Sequence, residues 1–90
     1  MTKSISRTTQ FKKDVKLAQK RGKDIDKLKE VLELLVNGLP LPARLRDHFL
    51  IGQYKGTREC HIEPDWLLVY EDSEDEIVLI RTGSHNDLFE

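Results

Sequence analysis

The stretch Arg58-Glu59-Cys60-His61-Ile62-Glu63-Pro64-Asp65-Trp66 decides how this chain folds on paper. It sets a histidine, three carboxylates and an arginine beside a Pro-Asp turn, between two runs that read as strands. Burying any one of these ionisable groups without a partner costs roughly several kcal/mol. A strand–turn–strand junction this rich in charge therefore marks a site rather than core. Strand side chains alternate between faces, so Cys60 and Ile62 share one face while Glu59, His61 and Glu63 share the other.

On the C-terminal side, Trp66–Tyr70 and Ile77–Arg81 are apolar, β-branched runs expected to be the central strands. The acidic segment 71–76 between them is expected to be an exposed loop, and Thr82–Glu90 a tail carrying His85 and Phe89. On the N-terminal side, Gly52 and Gly56 bracket Gln53-Tyr54-Lys55 as a short strand or the start of a hairpin. Arg44–His48 is a polar connection, and Leu39-Pro40-Leu41-Pro42 must be extended. Further back, Ile25, Leu28, Val31 or Leu32, and Leu35 give a helical stripe opened by Asp24 and closed at Asn37-Gly38. Phe11, Val15 and Ala18 give another over 9–21, capped by Thr8 or Thr9 and ended at Gly22. Lys3–Arg7 alternates weakly and is a candidate edge strand. The expected fold is one α+β domain over residues 1–90. An N-terminal strand and an antiparallel helical hairpin pack on one face of a mostly antiparallel four- to five-stranded sheet.

If segment 71–76 is a simple hairpin loop, residue 66 lies opposite 81, 68 opposite 79, and 61 opposite 68. On that register Cys60, Ile62, Leu67, Val69, Val78 and Ile80 meet the helices. His61, Trp66, Tyr70 and Arg81 then fall on the open face, with His85 emerging near Asp65. A one-residue slip reverses such an assignment. Two histidines, a carboxylate, an arginine and aromatics on one patch suit RNA cleavage. Histidine takes either proton role near neutral pH, arginine holds the phosphate, and an aromatic ring stacks a base. Activity should then change between about pH 6 and 8. Singly, each residue has a plainer reading: Trp66 as core, Asp65 as a turn cap, a histidine as surface.

Other chemistries fit less well. His61-Ile62-Glu63 has the H-x-E of zinc deaminases but no P-C-x-x-C follows it. The three histidines are widely spaced, with no H-E-x-x-H, no P-loop and no G-x-S-x-G, so neither a metal site nor a cofactor is expected. The 90 residues are 38% hydrophobic and 34% charged, and the apolar runs are too short to span a bilayer. A lone Cys60 and no apolar leader point to the cytoplasm. The net charge of −1 conceals an asymmetry. Residues 1–30 hold ten Lys/Arg against four Asp/Glu, and residues 31–90 hold five against twelve. The basic third suits a polyanion, or is simply a solvated helical face.

Taken together, Lys13-Asp14-Val15-Lys16, Leu39-Pro40-Leu41-Pro42, Asp47-His48, Arg58 to Trp66, Arg81-Thr82-Gly83-Ser84-His85 and Leu88-Phe89 resemble the YafQ-type toxins of the RelE/ParE superfamily. The strings H-x-E-P-D-W and R-x-G-x-H-x-x-L-F are specific, and the resemblance covers nearly the whole chain. It implies a fold similar to microbial ribonucleases and a bacterial toxin that cuts mRNA in the ribosomal A site. It also implies a DinJ- or RelB-like antitoxin that blocks the site, and operator DNA bound only together with that antitoxin. The basic helices would face ribosomal RNA. Position by position, His48, His61, Asp65 and His85 match the family's catalytic set. Trp66 and Phe89 match aromatics needed for activity, and Arg81 an arginine near the scissile phosphate. Arg58 and Glu59 are expected to bind substrate as well; Glu59, a longer side chain with the same charge, stands where the family's best-known member has aspartate. A ParE-like gyrase poison that cuts no RNA is the alternative, but it has no need of three histidines.

Overall fold

The computed structural model describes residues 2–50 and 56–89. The expected strand or hairpin at Gln53-Tyr54-Lys55 lies outside them. Among the described residues nine elements follow in order: β1 (Ser4–Arg7), α1 (Thr9–Lys20), α2 (Ile25–Val36), a 3-10 turn (Ala43–Leu45), β2 (His48–Phe49), β3 (Arg58–Glu63), β4 (Trp66–Asp72), β5 (Glu76–Gly83) and α3 (His85–Phe89). The sheet order is β1-β5-β4-β3-β2, with β1 parallel to β5 and every other pair antiparallel. No helix among the described residues is long and apolar enough to cross a membrane.

The helices begin where the sequence supplies side-chain acceptors. Thr8 accepts from the Phe11 N–H at the start of α1 and Asp24 from the Asp26 N–H at the start of α2. The Thr8 hydroxyl also donates to the Ile80 carbonyl at 2.7 Å, tying the start of α1 to β5. Gly22 and Gly38 follow the two helices with φ of +79° and +68°, as a left-handed cap requires. Phe11, Ala18, Leu28, Val31 and Leu35 are buried against the sheet.

The acidic segment differs from expectation, and the register with it. Glu71 and Asp72 belong to β4 and Glu76 to β5. The turn is confined to 73–75, where both the Ser73 N–H and its hydroxyl donate to the Glu76 carbonyl. The acids hydrate or pair at the sheet's end, where Lys3 Nζ meets Asp72 at 2.5 Å and the Ser6 hydroxyl meets Glu76. Leu68 consequently faces Thr82, Val69 faces Arg81 and, across a bulge, Tyr70 faces Leu79. His61 faces Leu67 rather than residue 68. The slip exchanges faces within β4 and β5. Trp66, Leu68, Tyr70, Ile77 and Leu79 join Cys60 and Ile62 in the helix-facing core. Leu67, Val69 and Ile80 lie in a second, smaller cluster with Leu50 and Leu88. The face expected to be open is therefore partly covered, by Leu50 and by α3.

Candidate active site

Three elements deliver one histidine each: β2 carries His48, β3 His61 and the start of α3 His85. Their rings stand in a row. His48 and His61 are stacked with centroids 6.1 Å apart, and His61 and His85 are 5.8 Å apart. Asp65, in the turn after β3, accepts from the His85 backbone N–H at 3.0 Å and lies 2.6 Å from His85 Nδ1. Those contacts hold the Asp65 carboxyl below its ordinary value, the backbone N–H contributing most.

The two outer rings have different surroundings. His48 Nδ1 is 2.6 Å from the Arg46 carbonyl, and its Nε2 is 3.1 Å from Glu59, a carboxylate only 6% exposed. Both of those partners are acceptors, so a ring carrying both protons satisfies both. For His85 only Nδ1 meets an acceptor among the described residues, namely Asp65, and Nδ1 therefore carries the proton when the ring is neutral. The middle ring, His61, has its Nδ1 buried without a hydrogen-bond partner among the described residues. Nε2 is then the His61 nitrogen left for a ligand.

Arg46 has φ 52° and ψ 44°, the left-handed region that costs a non-glycine residue about 1–2 kcal/mol. That conformation aims its carbonyl at His48. Behind it Asp47 receives Arg58 Nε and Nη2 at 3.2 and 2.6 Å and the Tyr70 hydroxyl at 2.6 Å. Hydrogen bonding to Asp47 raises the Arg58 guanidinium above its ordinary value, whereas burial is the main cause of the raised Tyr70 hydroxyl. Arg58 lies 4.4 Å over the exposed ring of Phe49.

The other candidate residues lie beneath or beside this row. Trp66 is 1% exposed in the helix-facing core and donates its indole N–H to Thr82 at 3.0 Å. Its expected place on the open face, like that of Tyr70, is corrected by the register. Arg81, also expected on that face, reaches Asp14 of α1 with Nε and Nη2 at 2.8 and 3.1 Å. Phe89, at the end of α3, is 43% exposed. His48, His61, Asp65, His85 and Glu59 are thus brought together, with Arg58 one residue removed behind Asp47. Trp66 and Arg81 support the site from beneath.

Three acids that hold the site are given no role by the sequence alone. Asp47 anchors the residue before His48. Asp14 is buried with Arg81, and the Phe11, Asp14, Ala18 spacing places it on the apolar stripe, where an acid must be paired. Asp87 forms a reciprocal cap with Ser84, accepting from the Ser84 N–H at 2.9 Å and donating its own N–H to Ser84 Oγ at 3.1 Å. Arg21 clamps the same carboxylate from α1 at 2.6 Å, and Arg21 and Ser84 pull it down to about 2. A Cβ on Gly83 would stand 2.9 Å from Asp87 Oδ2, so only glycine leaves room for the cap.

The family model described as a bacterial toxin of type II toxin-antitoxin systems, YafQ, matches residues 3–90. The chain is 50% identical over 88 residues to the mRNA interferase toxin YafQ of Escherichia coli K12, covering 97% of this chain and 96% of that protein. The fold superposes on the E. coli DinJ-YafQ toxin-antitoxin complex with a TM-score of 0.92 at 48% identity, covering 100% of both chains. It superposes on a metal-bound toxin from Helicobacter pylori with a TM-score of 0.89 at 41% identity, covering 99% and 100%.

Proposed function

The chain belongs to the YafQ family of bacterial type II toxin-antitoxin toxins and is an mRNA interferase, an endoribonuclease; from that premise we propose that it cuts mRNA in the ribosomal A site by general acid/base catalysis. The observation that carries the reading is the contrast between the outer histidines. Asp65 accepts a hydrogen bond from the Nδ1–H of His85, which leaves Nε2 with a lone pair for the 2′-hydroxyl. His48, set between the Arg46 carbonyl and Glu59, is the ring that arrives carrying a proton for the departing 5′-oxygen. Glu59 steadies that proton until the leaving group comes. His61 stands between the two and donates from Nε2 to the phosphate as it becomes a phosphorane. Phe89, at the surface, stacks a base, whereas buried Trp66 and Asp14-bound Arg81 hold β4, β5 and α1 in register beneath the site.

This chemistry calls on no metal. Among the described residues no group of three or more His, Cys, Asp or Glu is placed to hold one. Cleavage should persist in a chelator selective for transition metals that leaves ribosomal magnesium in place. A DinJ-like antitoxin is the expected inhibitor, by likeness to the E. coli complex, and the basic outer face of α1 is the surface for ribosomal RNA. The cytoplasm is the expected compartment.

The acid/base assignment is tested with an mRNA whose scissile 5′-oxygen is replaced by sulfur, a leaving group that needs no proton. His48→Ala and His85→Ala should each lower cleavage of ordinary mRNA on ribosomes by roughly 100- to 10,000-fold. The sulfur substrate should restore His48→Ala and leave His85→Ala slow. Restoration of His85→Ala instead would reverse the two roles.

A further inference from the structure

A second feature adjoins the histidine row. A pocket of about 330 Å³ is lined by Lys27 of α2, Arg44, Leu45 and Arg46 of the connection, and His61, Ile62, Glu63 and Pro64. His61 thus lies on its wall as well as in the row. Glu63 is neutralised inside the pocket, with Lys23 Nζ at 3.2 Å from one oxygen and Lys27 Nζ at 2.9 Å from the other. The lysines draw its carboxyl below the ordinary value, Lys27 contributing most. Arg44 and Arg46 are exposed and make no ion pair among the described residues. Two guanidinium groups therefore stand over a concave, net-positive pocket with no anion among the described residues left to pair them. Arg46 is also the residue in the left-handed conformation. Nothing in the backbone asks for arginine there; glycine would be the relaxed choice.

We propose that Arg44 and Arg46, with Lys27 behind them, form an anion subsite beside His61 that takes a backbone phosphate of single-stranded RNA next to the one being cut. The proposal rests on the endoribonuclease reading and extends it to how the strand is held. A guanidinium fork suits a phosphate with two oxygens free, and the pocket's contact with His61 sets the next linkage against the catalytic row. Fixing the neighbouring phosphate holds the 2′-hydroxyl in line for attack.

The test reads binding without cleavage. A fluorescent single-stranded 2′-O-methyl RNA oligonucleotide, which cannot be cut, is titrated with purified protein at several salt concentrations. Arg44→Gln/Arg46→Gly should bind roughly tenfold more weakly. The slope of log K on log salt should fall by about 0.7 for each phosphate the protein no longer neutralises. Arg46→Gly keeps the backbone conformation, so its melting midpoint should stay close to that of the unaltered protein and any weakening reports the side chain. Arg7→Gln/Lys29→Gln, the same charge change at exposed positions of β1 and α2, should bind as the unaltered protein does. Equal weakening in the two double variants would mean a diffuse field rather than a subsite, and would overturn the proposal. So would an unchanged affinity and slope in the arginine variant, or an arginine-dependent affinity for polyglutamate with RNA binding intact. Arginine-dependent RNA binding by a protein that cleaves no mRNA would sink the nuclease reading and leave the subsite standing.

Discussion

Asp47 and His48 are neighbours with opposite surroundings: the first is tied to Arg58 and Tyr70, the second faces the open site. Removing the Asp47 carboxylate strands the hydroxyl of a tyrosine that is only 1% exposed. Asp47→Ala should therefore cost about 2 kcal/mol in urea denaturation, and should slow cleavage by loosening the Arg46 carbonyl from His48. A change under about 0.5 kcal/mol would mean the network is ornamental. At this scale the sequence is legible wherever one residue type carries a chemistry. His48, His61, His85 and Asp65 can be picked out because histidine and a turn carboxylate have few structural uses in such number. Asp47, Asp14 and Asp87 are less visible because their work is to accept hydrogen bonds from partners far along the chain. Asp14 and Arg81 are 67 residues apart in sequence, and no local pattern pairs them.

The elements themselves are largely readable. The edge strand, both helices with their Thr8 and Asp24 caps, and the strands on either side of Pro64-Asp65 stand where periodicity places them. Register is not readable. Charge density at 71–76 argues for a loop, yet a strand end beside Lys3 and Ser6 accommodates acids without burying them. Extending β4 and β5 by those residues, with bulges between Val69 and Tyr70 and between His61 and Glu63, turns Trp66 inward. The five-residue α3 reads as a tail in the sequence because so short a helix has little stability of its own. Its Ser84–Asp87 cap and the Arg21 clamp supply what propensity does not. The Asp87 carboxyl lies near about 2 in the folded protein, against roughly 3.9 when unfolded. A depressed carboxyl stabilises the fold above its unfolded value, and that stabilisation is lost as pH falls through the folded one. Hydrogen-exchange protection of the Leu88 amide should thus be steady from neutrality to about pH 4 and decline toward pH 2. Arg21→Ala should weaken protection at every pH above that window. An Arg21→Ala profile matching that of the unaltered protein would show that α3 is held by Leu88 packing alone.

At the scale of the whole molecule, one core fastens two helices to the sheet while a smaller one seats α3, and the histidine row lies where β2, β3 and α3 come together. Cys60 reports on the larger core. It is fully buried, and burial chiefly pushes its thiol up to about 12. It should therefore resist thiol reagents at pH 8 until the domain unfolds, reacting at the rate of global opening. Labelling of the native protein within seconds would contradict the packing of β3 against the helices. The arrangement as a whole stands or falls on whether the row of histidines cuts message held by the ribosome. The direct test adds purified protein to translating ribosomes, maps the new 5′ ends of the mRNA, and runs His85→Ala alongside. Cuts in frame with the codons, absent without ribosomes and abolished in His85→Ala, are the expected result. Intact mRNA, or the same cuts made by His85→Ala, would contradict it.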